Sequence, residues 1–310
     1  MGPPRYTLPA VPATRARLAV AFVALYLFWG ATYLGIRVAV ETIPPFVMAS
    51  ARYFLAGGLL LGALRLRGPL PRLTAANWWS SAVISFFLLL GGNGLVVWAE
   101  QRVPSGLAAL LVSTSPLWMI LFDWLLRHAA PPRPRQLVGL GLGLAGTLAL
   151  QWPGGLGHAE IALVPALALL GASVSWSFGS IWGKDARVPD SPLVATALQM
   201  LTGGVWLLLA SLATGQLFHV HPSAISARSL VAFAYLVGLG SLGGFTAFVY
   251  VMKHASAARG STYAYVNPVI AVGLGWAVAG ERVSPRMLGA AAVILVGVAL
   301  VLWKPQRAKG

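Results

Sequence analysis

An all-α integral membrane fold, with ten transmembrane helices forming two five-helix repeats of inverted topology, is what three features of this sequence predict. Charged residues make up only 9 % of a chain that is 58 % hydrophobic, whereas a soluble domain carries about 25 %. Apolar runs long enough to cross a bilayer recur ten times. The two halves share landmarks at a nearly constant offset.

A hydrocarbon core of about 30 Å and a rise of 1.5 Å per helical residue call for roughly 20 apolar residues per span. Such runs cover 18–36, 45–64, 78–99, 106–126, 137–152, 161–182, 193–214, 230–252, 262–280 and 287–303. The fifth and tenth are short unless their helices begin near Pro134 and Pro285. Connections are tight and marked by Pro or Gly, as at Pro44 and Pro45, Gly68 and Pro69, Pro153 to Gly155, and Pro189. No soluble domain fits between them. Arg15 and Arg17 followed by an apolar run resemble a secretory signal. The run is long, contains Trp29 and lacks an evident small-x-small cleavage site, so it reads as a retained span. The expected divisions are a short tail (1–17), a first repeat (18–152), a second repeat (153–303) and a second tail (304–310).

The net charge of +15 invites a nucleic-acid reading, which the distribution of bases excludes. Bases lie in short clusters between apolar runs: Arg5, Arg15 and Arg17; Arg65, Arg67 and Arg72; Arg127, Arg133 and Arg135; Lys184 and Arg187; Lys253 and Arg259; Lys304, Arg307 and Lys309. With both termini in the cytoplasm, these sixteen of the 22 basic residues face inward. The outer loops then hold Arg102, Arg228, Arg282 and Arg286, while Arg37 and Arg52 sit at helix ends. Cytoplasmic loops carry such an excess of Lys and Arg, which sets the orientation and supports the span count. The absence of cysteine excludes disulfides, thiolate catalysis and Cys-ligated metals.

The repeat is legible at long period. Shifted by 147 residues, Trp29 falls on Trp176, Arg37 on Lys184, Pro45 on Pro192, Gly57 on Gly204 and Phe86 on Phe233. Near the end of each half the shift is 151, with Pro134 and Arg135 on Pro285 and Arg286, Gly146 on Gly297, and Trp152 on Trp303. Five is odd, so the second copy enters from the opposite side. That is the inverted repeat of many secondary transporters.

The stretch Tyr265-Val266-Asn267-Pro268, through Gly280-Glu281-Arg282 to Leu288-Gly289 and Gly297, resembles the C-terminal repeat of EamA-type permeases of the drug/metabolite transporter superfamily. Ser113-Thr114-Ser115-Pro116 is a weaker copy in the first half. The resemblance covers roughly residues 18–303. It points within the superfamily to the amino-acid exporters, including the aromatic amino-acid exporter group. The chain departs in one place: the Gly-Glu after the ninth run has no acidic counterpart after the fourth, which reads Leu126-Arg127-His128-Ala129.

Transporter sites lie near the midplane, where helices of the two halves are interrupted in corresponding positions. Span three carries Gly91-Gly92-Asn93-Gly94 and span eight the glycines between Gly238 and Gly244. Span four carries Ser115-Pro116 and span nine Asn267-Pro268. A helix-interior proline frees the carbonyl four residues earlier, Val112 and Ala264 here. Such a carbonyl must face protein or a water-filled cavity. The glycines have an alternative role in close helix packing. Trp78, Trp79, Trp152 and Trp303 lie at span ends, as an interfacial belt does. Trp29, Trp118 and Trp176 lie inside their spans, where an indole N–H needs a partner. The candidate substrate-binding residues are Trp29, Tyr33, Asn93, Trp98, Ser115, Trp118, Trp176, Tyr250, Tyr263 and Asn267, with Trp98 and Tyr250 nearer the outer mouth and Tyr265 a further aromatic. Packing between helices is the competing role for each aromatic.

All seven acidic residues, Glu41, Glu100, Asp123, Glu160, Asp185, Asp190 and Glu281, lie at span ends or in loops. Asp123 with Arg127 and Arg37 with Glu41 have the spacing of helix-end ion pairs. No carboxylate marks a mid-membrane ion relay, so efflux down a substrate gradient without obligatory ion coupling is expected. The five histidines are scattered in loops; His219 and His221 form the one close pair, with no nearby Asp or Cys. No catalytic cluster, cofactor or metal is therefore expected, and an integral-membrane enzyme is disfavoured. A channel lacks its charged ring or carbonyl filter motif. The expected protein is a monomeric, multi-pass exporter of aromatic and other neutral amino acids in a bacterial inner membrane. The alternatives within its class are other metabolites or lipophilic cations, which stack well on Trp faces.

Overall fold

The computed structural model describes residues 15–128, 131, 133–151, 163–254 and 263–302, and the regular structure there is helical. Trp152, Trp303, residues 153–155, His158, Glu160, Arg259, Arg5 and the basic residues beyond 303 lie outside the described residues, as does the side chain of Tyr265.

Seven of the described helices are long and apolar enough to cross a membrane. They are α1 (Arg15–Ala39), α2 (Pro45–Arg67), α3 (Ala75–Ala99), α4 (Ser105–Arg127), α6 (Leu163–Trp182), α7 (Pro192–Ala213) and α8 (Ala227–Val251, running on to His254). The fifth, ninth and tenth apolar runs hold α5 (Pro134–Gln151), α9 (Tyr263–Ala279) and α10 (Pro285–Leu302). Each of these three ends at an edge of the described residues, which is why ten expected spans become seven here. Large apolar side chains such as Leu59, Val231, Val269 and Trp276 are exposed, as a lipid-facing surface requires.

Helix starts follow local chemistry. Pro45 and Pro192 occupy the first turn of α2 and α7, where a missing N–H costs nothing and φ is already helical. Thr74 and Asn77 form a reciprocal capping box at α3. The start of α4 is capped from the other half of the chain: the Glu281 carboxylate accepts from Ser105 N (2.7 Å), Ser105 Oγ (2.8 Å) and Gly106 N (3.2 Å). A carboxylate at a helix N-terminus satisfies orphan donors and favourably meets the helix dipole. The Gly-Glu landmark thus ties the end of α9 to the head of α4.

Helices pair mainly across the two halves. α2 packs on α7, α5 on α10 and α4 on α9; α1 packs on α8 and α9, as α6 packs on α3 and α4. Small residues allow the close approach. Ser50 on α2 donates through Oγ to the Gly204 carbonyl of α7 (2.9 Å), a polar tie of the kind that joins membrane helices. The core between them is apolar, with Met48, Tyr53, Leu111, Leu169 and Met200 nearly inaccessible.

Three helices are irregular where the sequence marks breaks. α3 is a π-helix over Phe86–Gly94 and α8 over Leu236–Gly243, and π turns inside α-helices are frequent at functional sites. α4 breaks at Ser113 and Thr114, with Pro116 in the first turn of its second segment. The Val112 carbonyl freed by Pro116 accepts from Ser115 Oγ (2.7 Å) and from Ser173 Oγ of α6 (3.2 Å). It is satisfied within the protein and not held open for a ligand, because two hydroxyls reach it first.

Two ion-pair expectations divide. Arg127 does meet Asp123 (3.1 Å) and also Asp185 (2.7 Å), while Lys184 reaches Asp123 (3.4 Å). Arg37 and Glu41 do not pair. The helix ends at Ala39, so Glu41 leaves the i,i+4 register and meets Arg228 (3.6 Å). Arg37 Nη1 instead donates to the Glu100 main-chain carbonyl (2.6 Å).

Candidate functional site

The irregular segments of α3 and α4 line one cavity of about 130 Å³. A buried water needs about 10–15 Å³ measured this way, so the space suits a molecule of order ten heavy atoms. Its wall comes from α1, α2, α3, α4, α6, α8 and α9. Seven of the ten candidate residues line it: Trp29, Tyr33, Asn93, Ser115, Trp176, Tyr263 and Asn267. Pro116 and Pro268 are in the wall as well, although α9 runs unbroken through Pro268, so the expected interruption of the ninth span does not occur.

The two tryptophans face it from related positions. Trp29 stacks on Phe248 (5.2 Å between centroids) and meets Phe245 (5.4 Å) and Tyr263 (5.2 Å) edge-on. Gly244 of α8 lies so close to the Trp29 indole that a Cβ there would collide with it. Trp176 lies against Gly92 of α3 in the same manner, with 3.1 Å between its Cε3 and a Cβ placed on that glycine. Each indole therefore fits against a backbone left bare by glycine in the third helix of the other half.

Trp98, Trp118 and Tyr250 are not in the cavity wall. Trp98 packs against the main core with the Arg102 guanidinium over its ring (5.8 Å). The Trp118 indole N–H and the Tyr250 hydroxyl are buried without a protein partner. Tyr250 stacks on His254 (4.3 Å), at the far end of α8 from Ser226, whose N–H reaches Thr42 Oγ1. Trp98 is at the Thr42 end, beside Glu100, so the two aromatics do not share one mouth.

Sequence reasoning missed Arg52. It is not at a helix end but two turns inside α2, only 3 % exposed, and in the cavity wall. Its Nε donates to Ser241 Oγ (2.9 Å), its Cζ lies over the Tyr53 ring at 5.0 Å, and its Nη1 has no protein partner. An ionisable residue within an apolar span is itself the signal that finds it. Glu100 also departs from its sequence position: although it follows α3, it is 0 % exposed and neither carboxylate oxygen accepts a hydrogen bond. Arg37 and Arg52 are its cationic neighbours and Glu281 an acidic one. Glu100 is not in the wall, and among the described residues Arg52 is the one formal charge lining the cavity.

Residues 17–151 and 163–303 each match the EamA-like transporter family. The chain is 40 % identical to the inner membrane transporter YedA of Escherichia coli over 91 % of this chain and 89 % of the relative. It is 27 % identical to the transporter YvbV of Bacillus subtilis over 96 % and 95 %. A solved crystal structure superposes with a TM-score of 0.62 at 24 % identity, covering 96 % of this chain and all of the other; at that identity the likeness concerns the fold alone.

Proposed function

The chain belongs to the EamA-like transporter family, and from that premise we propose that it exports aromatic and other neutral amino acids by alternating access. The observation that carries this reading is the cavity itself. It joins two tryptophan walls, one buried and one half-buried asparagine, and one arginine. Its size suits a free amino acid. A single cation and no described carboxylate in the wall disfavour lipophilic cations, which would meet repulsion from Arg52 at low dielectric.

The same reading takes the halves 18–152 and 153–303 as inverted five-span repeats, and the protein as a monomer in a bacterial inner membrane with both termini cytoplasmic. Support comes from the charge asymmetry of the loops, the double family match, the name of the Escherichia coli relative and the corresponding helix partners across the halves. Topology reporters fused after Arg67, Arg133 or Lys304 are expected to report cytoplasm, and those near Gly155 or His219 the outside. Two or more opposite readings would overturn the inverted arrangement.

Purified protein in liposomes loaded with Phe is expected to give saturable efflux driven by the substrate gradient alone, since no described carboxylate lines the cavity. Absence of amino-acid transport would overturn the proposal. Efflux that demands an imposed pH or sodium gradient would instead overturn the uncoupled mechanism and direct attention to Glu100.

A further inference from the structure

We propose that the cavity recognises the free zwitterion of an α-amino acid, with Arg52 holding the carboxylate and the side-chain oxygens of Asn93 and Asn267 receiving the ammonium group. This rests on the amino-acid reading above and specifies which groups of the substrate it must carry.

Arg52 is the anchor because its geometry leaves one edge free. Nε donates to Ser241 Oγ at 2.9 Å and Cζ lies 5.0 Å over the Tyr53 ring, which orients the head group. Nη1 is buried and donates to nothing in the protein. A buried cation left unpaired is costly, and Glu100 supplies only a diffuse field because its oxygens accept no hydrogen bond. A ligand carboxylate is the partner whose planar pair of oxygens fits a guanidinium edge.

The asparagines present the opposite polarity. Asn93 comes from the π segment of α3 and Asn267 from the turn before Pro268 in α9. Both line the cavity and both have an Oδ1 that is buried without a donor, and Asn267 is only 7 % exposed. Unsatisfied buried acceptors are rare in folded proteins. Two of them around one cavity, with a free cationic donor in the same wall, describe a ligand bearing an N–H donor and an anionic acceptor. One cation matches one carboxylate, so dianions such as phosphate esters would retain an uncompensated charge.

The test compares three solutes in the same proteoliposomes: L-phenylalanine, L-phenylalaninamide, which lacks the carboxylate, and 3-phenylpropionate, which lacks the ammonium. Wild-type protein is expected to move phenylalanine at least about tenfold better than either analogue, the loss that follows from removing one charge-assisted hydrogen-bonding group. Arg52→Gln should abolish the preference for phenylalanine over its amide, because the carboxylate loses its anchor and the net positive charge of the amide loses its repulsion. Asn267→Leu should narrow the preference over 3-phenylpropionate. Because each preference is a ratio within one variant, expression does not enter it. Should Arg52→Gln fail to fold, Arg52→Lys keeps the charge but not the two-pronged edge, and is expected to retain a reduced preference. A variant at Arg52 that transports phenylalanine over its amide as well as wild type overturns the inference while the amino-acid reading stands. Wild-type protein that moves none of the three overturns both.

Discussion

Replacing Trp29 or Trp176 by alanine is expected to weaken transport of Phe and Trp by up to about tenfold while leaving Thr within about twofold. An aromatic contact contributes roughly 0.5–1.5 kcal/mol beyond simple burial, and 1.4 kcal/mol is about a factor of ten. Both rings line the cavity, so an aromatic substrate loses a contact that a small polar one never made. The comparison is between substrates at matched membrane expression. Trp29 also holds three neighbouring rings, so its alanine variant should show the lower folding yield of the two. Equal losses for all three substrates, tracking yield, would assign both indoles to packing.

Gly244→Ala is expected to be more damaging than Gly92→Ala, although both remove a glycine opposite a cavity tryptophan. A methyl at Gly244 collides with the Trp29 indole, which is fixed on its other faces by Phe245, Phe248 and Tyr263. A methyl at Gly92 meets Trp176 at 3.1 Å, where a shift of a few tenths of an ångström suffices. Overpacking of this kind costs about 1–3 kcal/mol. Thermal unfolding in detergent should place the Gly244 variant below the Gly92 variant, and Phe efflux should fall in the same order. Adding Trp29→Ala, which removes the colliding Nε1 and Cδ1, should make Gly244→Ala cost less than it does beside the indole. Additive defects in that double variant would mean the glycine serves something other than the indole.

These pairings mark how far the primary sequence could be read. The irregular segments of α3, α4 and α8 were visible because Pro and Gly act locally, whereas α9 runs unbroken through Pro268. Which apolar face looks inward was not visible. A helix that is hydrophobic all round has no polar stripe to orient it, so Trp118 and Tyr250 could not be distinguished from Trp29 and Trp176. Arg52 was overlooked for a related reason: its neighbours on either side are small or aromatic, and proximity to the Pro44 and Pro45 turn disguised a charge two turns deep. Glu100 and Glu281 were beyond reach, because their environments come from residues 63 to 176 positions away in the chain.

The seam between α4 and α6 has a mechanical meaning. At the break in α4 hydroxyls take up the freed Val112 carbonyl, Thr114 and Ser115 share Ser173 at 2.9 and 2.8 Å, and Ser177 donates to the Ser115 carbonyl at 2.8 Å. A hydroxyl rotates about its C–O bond and can exchange one acceptor for another, so a small tilt of the lower segment of α4 re-forms contacts without rupturing a helical hydrogen bond. The upper segment is held at its head by Glu281. The second segment, which carries Met119 in the cavity wall, is tied at its far end by Arg127 and Asp123 to Asp185 and Lys184, so α4 is held at both ends and jointed between them. That joint, at Ser113, Ser115 and Pro116, forms part of the cavity wall, so an occupant of the cavity would press directly on the pivot.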